Sequence, residues 1–227
     1  MKALLWKDYH VNRVVLICGV AMLAGPLVVG VLINLYGLAR YDALPRPWPH
    51  LLVTTSIVSL CLSLLTFAML GGNAVAGERM DRSAEFLAYL PPTRAEVIAS
   101  KATLAIGCCV IIWAVQAAVM YWWAPLVGEV PEDVIRFRDD VVPHMATTSA
   151  LLFGAAWLGS TLVSSPAIAT GIGFGAPWVL FAVLSVFRYA LGFDDLDLGA
   201  WWFALATGLG IACFVGGTAH YVHRVEP

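Results

Sequence analysis

The chain has 227 residues, of which 60% are hydrophobic and only 12% charged, with a net charge of −2 and a mean hydropathy of +0.82. Soluble domains contain about 45–50% apolar and about 25% charged residues, so this composition excludes an ordinary soluble domain and predicts an integral membrane protein. The charge balance argues against a nucleic-acid partner, which would require clustered Lys and Arg.

Six apolar segments are long enough to cross a bilayer as helices of about 20 residues. In chain order, the predicted spans cover residues 14–36, 51–76, 100–124, 144–164, 167–187 and 199–221. Lys2, Lys7 and Arg13 are typical of a signal peptide, but the apolar run that follows is too long for one, so we expect an uncleaved first span. The predicted fold is an all-α integral membrane protein with six transmembrane helices.

The orientation follows from Lys and Arg, which accumulate on the cytoplasmic side of membrane proteins. With the N-terminus inside, the inner segments carry eight of these residues and the outer segments five. We therefore predict a multi-pass protein of the cytoplasmic (inner) membrane with both termini in the cytoplasm. The acidic segment 129–140 is then an outer loop, and its spacing matches no calcium-binding loop.

The charged stretch between spans two and three is predicted to form a cytoplasmic amphipathic helix over residues 78–90. Asp81 and Glu85 repel each other at i,i+4, which suggests that a basic partner comes from another chain. Pro91 and Pro92 end this helix, and a capping box of Thr93 and Glu96 begins the next. The alternative is a solvated loop that only sets the orientation of the neighbouring spans.

Short motifs in the second half of the chain predict close helix packing. Ser164, Ser165 and Pro166 separate spans four and five, with Ser as N-cap and Pro at the first helical position, which predicts a tight helical hairpin. Small residues recur at helical spacing in spans five and six, at Gly171, Gly175, Gly208, Ala212 and Gly216. Such residues let membrane helices approach closely, and we favour packing within the chain over an interface between two copies.

Polar side chains inside the predicted spans are few. They include Asn34, Asn73 and Gln116, and no charge lies at mid-membrane, which disfavours a proton-coupled carrier. We expect Asn73 to form a hydrogen bond between helices. His220 and His223 supply only two metal ligands, and the sequence contains no HExxH or GxSxG motif, so neither a metal site nor an enzyme is predicted.

The run from Gly77 to Lys101, GERMDRSAEFLAYLPPTRAEVIASK, resembles the signature of ABC-2 type transporter permeases. The matching positions are Glu78-Arg79, Glu85-Phe86-Leu87, Leu90-Pro91, Thr93-Arg94 and Lys101. Residues 3–9 are similar to the family's N-terminal amphipathic helix, and the resemblance implies such an entry helix over about residues 2–12, before the first span. Ser83 departs from the family's pattern, in which many members have Gly. The short length also resembles the haem-export permease of cytochrome c maturation.

The resemblance implies the membrane half of an ABC transporter, working as an exporter. The sequence has no GxxxxGK[ST] loop, so a separate ATPase subunit would bind ATP and Mg, and this chain would hold no cofactor. In the family, the helix between spans two and three contacts the ATPase. The implied contact residues are Glu78, Arg79, Arg82, Glu85 and Arg94, and the other implied partners are a second permease copy and membrane lipids. The alternative from another class is a membrane scaffold or assembly subunit without transport activity.

Overall fold

The computed structural model describes residues 2–41, 47–80, 93–190 and 198–224, and every regular element within those ranges is a helix. The helices are α1 (Lys2–Val11), α2 (Arg13–Tyr41), α3 (Trp48–Met80), α4 (Arg94–Val127), α5 (Glu132–Leu162), α6 (Pro166–Ala190) and α7 (Leu198–Arg224). Helices α2 to α7 are long and apolar enough to cross a membrane. The chain is therefore a multi-pass membrane protein, and the predicted all-α fold with six transmembrane helices is confirmed. The predicted amphipathic helix after span two lies, from residue 81 onward, outside the described residues.

Helices α3 and α5 form the centre of the bundle. Helix α3 packs against α2, α4, α5 and α6, whereas α5 also packs against α7. Trp157 of α5 is fully buried, and its indole Nε1 donates a hydrogen bond of 3.2 Å to Thr218 Oγ1 of α7. The rings of Phe153 and Phe214 lie against this indole. The polar end of the only fully buried Trp in the described residues is thus satisfied inside the bundle.

Glycine allows the close approach of these central helices. A Cβ atom on Gly210 of α7 would lie 2.6 Å from the carbonyl oxygen of Ala150, and one on Gly71 of α3 would lie 2.7 Å from that of Phe153. Both separations are shorter than van der Waals contact, so only glycine fits. Because lipid tails are as apolar as Leu, membrane helices associate largely through such close packing.

The small residues singled out in the sequence lie elsewhere. Among the described residues, Cβ atoms added to Gly171, Gly175, Gly208 or Gly216 would meet nothing within 4 Å, and Ala212 is exposed. These residues therefore do not mark the close contacts between the described helices, and the alternative, an interface between two copies, stays a prediction. Gly210 and Gly217 face the bundle instead. Successive residues of a helix point about 100° apart, so Gly208 and Gly216 lie on a different face of α7 from Gly210 and Gly217.

Segment 129–140, predicted as an outer loop, is mostly helical. Helix α5 begins at Glu132, directly after Pro131, and continues without a break to Leu162. Glu132 and Asp133 occupy the first turn, where carboxylates interact favourably with the helix dipole. Val134 is buried in a cluster with Val53 and Ile57 of α3, which explains why the charged segment is ordered as a helix. With 31 residues, α5 is about 46 Å long and extends beyond a 30 Å hydrocarbon core.

Two predicted helix starts are confirmed. The Thr93 hydroxyl accepts a hydrogen bond from the backbone N–H of Glu96 at 3.3 Å, and the Glu96 carboxylate accepts one from the Thr93 N–H at 2.8 Å. At the hairpin between α5 and α6, Ser165 Oγ accepts a hydrogen bond from the N–H of Ile168, and Pro166 is the first helical residue. Both motifs satisfy backbone donors that a helix start leaves unpaired.

Helix α4 contains one π-helical segment, Ala118–Trp123. Pro125 lies two residues after its end; it has no N–H to donate, and its ring conflicts with the regular α-helical hydrogen bonding. The N–H of Ala124 bonds to the carbonyl of Val119, five residues earlier, so the wider turn absorbs this conflict. Trp122 and Trp123 project outward from it.

Candidate functional site

The N-terminal end of the bundle, which we call the base, consists of α1, residues 73–80 of α3 and residues 93–101 of α4. The helices α2 and α3 run antiparallel: Gly30 lies against Thr55, and Gly19 lies against Thr66. Farther along the same line, Lys7 of α1 pairs with Glu78 of α3. Helix α1 therefore extends the pairing of α2 with α3 beyond the first span. The start of α4 completes the base on the other side of α1.

Four charged side chains from three helices form a connected network in the base. Lys101 of α4 lies between two carboxylates, with its Nζ 2.9 Å from Glu78 Oε1 and 3.2 Å from Asp8 Oδ1. Lys7 of α1 also pairs with Glu78. The side chains of Asp8, Glu78 and Lys101 are each only 4–5% exposed, whereas that of Lys7 is 28% exposed. The two acids and two lysines balance in charge.

Neutral polar groups complete the network. The second carboxylate oxygen of Asp8 accepts a hydrogen bond of 2.7 Å from the Ser100 hydroxyl. Next to it, Asn73 Nδ2 of α3 donates to Asn12 Oδ1 at 2.8 Å, and Asn12 Nδ2 donates to the Asp8 carbonyl at 2.9 Å. The prediction that Asn73 forms an interhelical hydrogen bond is confirmed. Buried charges require this kind of pairing, because removing one partner leaves the other desolvated at a cost of about 3–5 kcal/mol.

Arg79 connects the base to the end of α5. Its guanidinium donates hydrogen bonds to the carbonyl oxygens of Thr161, at 2.9 Å, and Val163, at 3.5 Å. The last carbonyls of a helix lack partners within the helix and carry partial negative charge. Arg79 therefore joins α3 to the α5–α6 hairpin.

Three of the five residues carried over from the permease resemblance, Glu78, Arg79 and Arg94, lie within the described part of the chain. Glu78 and Arg79 belong to α3, and their side chains bond to α1, α4 and α5. They were expected on an exposed docking surface, and in this structure they join helices instead. Arg94 is exposed at the first turn of α4. Arg82 and Glu85 lie outside the described residues.

Asp8 is the member of the site that the sequence did not reveal. It is one acid in a basic N-terminal segment, and nothing in its spacing points to Lys101, which is 93 residues away. A usable signal existed at Lys101 itself, because a lysine at the start of an apolar span either extends to the interface or pairs with an acid inside the protein. His220 and His223 were considered as two ligands of a metal site. The described part of the chain contains no group of three or more His, Cys, Asp or Glu suited to a metal ion.

No protein-family model, curated protein or solved structure matches the chain. The resemblance to ABC-2 permeases therefore depends on the sequence motif between Gly77 and Lys101. The geometry adds that the two ends of this motif, at Glu78 and Lys101, are in direct contact.

Proposed function

We propose that this chain is the membrane-spanning permease subunit of an ATP-binding-cassette exporter of the ABC-2 type. A separate ATPase subunit supplies ATP hydrolysis, and the chain has no catalytic activity or cofactor of its own. In this proposal the base faces the cytoplasm, the membrane is the cytoplasmic (inner) membrane, and a second permease copy completes the transporter.

One observation carries the proposal: buried ion pairs connect α3 and α4, the helices on either side of segment 81–92, to each other and to α1. Glu78 precedes the segment, Lys101 follows it, and their charged groups are 2.9 Å apart. A displacement of the segment by a docked ATPase would move α3, α4 and α1 together, because separating these buried charges is costly. This is the mechanical property that a subunit receiving force from an ATPase requires.

The roles of the motif residues divide accordingly. Arg82, Glu85 and Arg94 contact the ATPase, and the repulsion between Asp81 and Glu85 is relieved by a basic group on that partner. Glu78 and Arg79 are positioning residues, since their side chains bind inside the chain. The cargo must follow a path lined by few polar groups, and an amphiphilic or hydrophobic molecule suits it best.

Co-purification tests the assignment. The intact protein is extracted from its native membrane in a mild detergent, and bound proteins are identified by mass spectrometry. We expect a P-loop ATPase to co-purify, and charge reversal by R82E or E85R should lower its recovery about tenfold, the effect of roughly 1.4 kcal/mol. The control is R136E in the exposed Arg136–Glu132 pair at the opposite end of the bundle, which should leave recovery unchanged.

The outcomes separate the alternatives. If the intact protein recovers no P-loop ATPase, the permease assignment is wrong and a scaffold without transport activity becomes the better description. If an ATPase is recovered equally well by R82E, E85R and the control, segment 81–92 only sets the orientation of the spans and is not the contact.

A further inference from the structure

A groove runs between α4 and α5 above the base. Both helices pack on α3 rather than on each other, which leaves an opening of about 320 Å³. This volume lies within the range of ligand-binding pockets, about 300–1,000 Å³. Its lining is formed largely by Phe67, Ile106, Cys109, Ala146, Ala150 and Phe153.

The concave shape has a cause in the sequence. The wall on α5 consists mainly of small side chains, Ala146, Ser149 and Ala150, which recur at helical spacing and leave room opposite α4. The polar groups in the groove satisfy one another: Trp113 Nε1 donates to Ser149 Oγ at 3.3 Å, and Ser149 Oγ donates to the carbonyl of Ala146 at 2.8 Å. A polar ligand would find no unpaired group there, so the groove suits a hydrocarbon chain.

A basic group lies along the same seam, farther from the base. The guanidinium carbon of Arg138 on α5 lies 4.2 Å from the centre of the Tyr121 ring on α4. Arg138 Nε donates to Asp139 Oδ1 at 2.8 Å, and among the described residues the guanidinium makes no other hydrogen bond. Its side chain is only 11% exposed. The exposed Trp122 and Trp123 beside Tyr121 mark this level as the membrane interface, where aromatic rings collect.

The spacing between the basic group and the groove matches a lipid. Twelve residues of helix separate Arg138 from Ala150, which corresponds to about 18 Å along α5. Half the thickness of the hydrocarbon core is about 15 Å, so a chain that starts at the interface reaches close to the level of Ala150. We infer that the α4–α5 seam binds an anionic phospholipid, with its phosphate at Arg138 and one acyl chain in the groove.

The lipid's charge preference is set by Arg138 and moderated by its neighbours. Asp139 pairs with Arg138, and the exposed Asp140 lies one residue farther along the chain. A single Arg near a membrane surface contributes about 1 kcal/mol toward an anionic lipid, so the expected preference over a zwitterionic lipid is about three- to fivefold. This inference does not depend on the ATPase partner and would hold for a scaffold as well.

Photolabelling of the full chain in vesicles tests the inference. Phosphatidylcholine vesicles contain a small fraction of phosphatidylglycerol with a photoreactive group in its acyl chain, and labelled peptides are mapped by mass spectrometry. We expect peptides at Ile106 and Phe153 to be labelled about fivefold more than the exposed α6 surface at Val179 and Val183, which corresponds to roughly 1 kcal/mol. Equal labelling of the two regions means that bulk lipid fills the groove, and it overturns the proposal.

Two variants test the parts of the site separately. A146F fills the groove and should reduce its labelling to the level of α6, whereas A114F, on the exposed face of α4, should not change it. I106W fills the groove from the opposite wall and replaces A146F if that variant does not accumulate in the membrane. Undiminished labelling of a filled groove overturns the proposal.

R138Q should remove the preference for phosphatidylglycerol over an equally photoreactive phosphatidylcholine, while the acyl chain still labels the groove. If the preference persists in R138Q, Arg138 does not bind the phosphate, and the headgroup assignment is wrong.

Discussion

The base and the centre of the bundle hold their helices together by opposite means. At the base, α1, α3 and α4 are joined by Asp8, Glu78 and Lys101, whose charges are buried and paired. At the centre, α5 and α7 meet backbone to backbone at Gly210, without any charged group. Buried charge pairs keep the helices of the base together because separating them is costly, whereas glycine contacts depend on shape alone. The comparison predicts that substitutions disturb the base by leaving charges unpaired and disturb the centre by removing the fit between helices.

The largest effect is expected at the base. K101M leaves the carboxylates of Asp8 and Glu78 without their shared cation, and this should lower the free energy of unfolding by about 3–5 kcal/mol. Thermal unfolding in detergent, followed by loss of native structure, measures the change. Neutralising Asp8, Glu78 and Lys101 together, in D8N/E78Q/K101M, should restore most of the stability, because the one charge of the network that remains is that of Lys7, whose side chain is 28% exposed. If the triple variant is no more stable than K101M, the pairing argument fails.

The centre provides a test in which only shape changes. G210A places a methyl group against the carbonyl of Ala150 and should cost about 1–3 kcal/mol, since the two helices must separate. The matched control is G208A, two residues away on the same helix, where a Cβ meets nothing within 4 Å. Thermal unfolding of both variants in one detergent measures the difference. Equal stability of the two variants would show that α5 and α7 are not packed as described.

The smallest effect is expected at the exposed edge of the base. T93A removes the hydroxyl of the capping box that begins α4 and should cost about 1 kcal/mol. T93S keeps the hydroxyl and serves as the control. Hydrogen exchange of the first-turn amides of α4 gives a local measurement: faster exchange at Glu96 is expected in T93A only. Unchanged exchange in T93A would mean that the buried ion pairs alone hold the start of α4.

Local features of the chain were predictable where they depend on neighbouring residues. The apolar runs predict the six long helices, and the Thr93–Glu96 and Ser165–Pro166 motifs predict where two of them begin. These features were predictable because hydropathy and capping act over a few residues. The segment 129–140 was misjudged for the same reason: its charges are typical of a loop, but the buried contacts of Val134 with α3 make it a helix.

The candidate site was only partly predictable. Glu78, Arg79 and Lys101 stand out in the sequence as a motif, but Asp8 does not, because its partner is distant in the chain and reaches it only through the pairing of α1 with α4. The same limit applies to glycine. The sequence shows small residues at helical spacing on several faces, and nothing in that spacing distinguishes Gly208, which is open, from Gly210, which contacts α5.

The sequence by itself determined that this is a multi-pass helical membrane protein, because a 60% hydrophobic chain with six long apolar runs can satisfy its backbone in lipid only as helices. Only the tertiary structure decided which polar and small residues face inward. In a membrane, both faces of a helix are apolar, so hydropathy does not mark the buried side. The buried side of each helix is decided by the helices that pack against it. This packing brings Asp8 beside Lys101 and leaves a groove between α4 and α5.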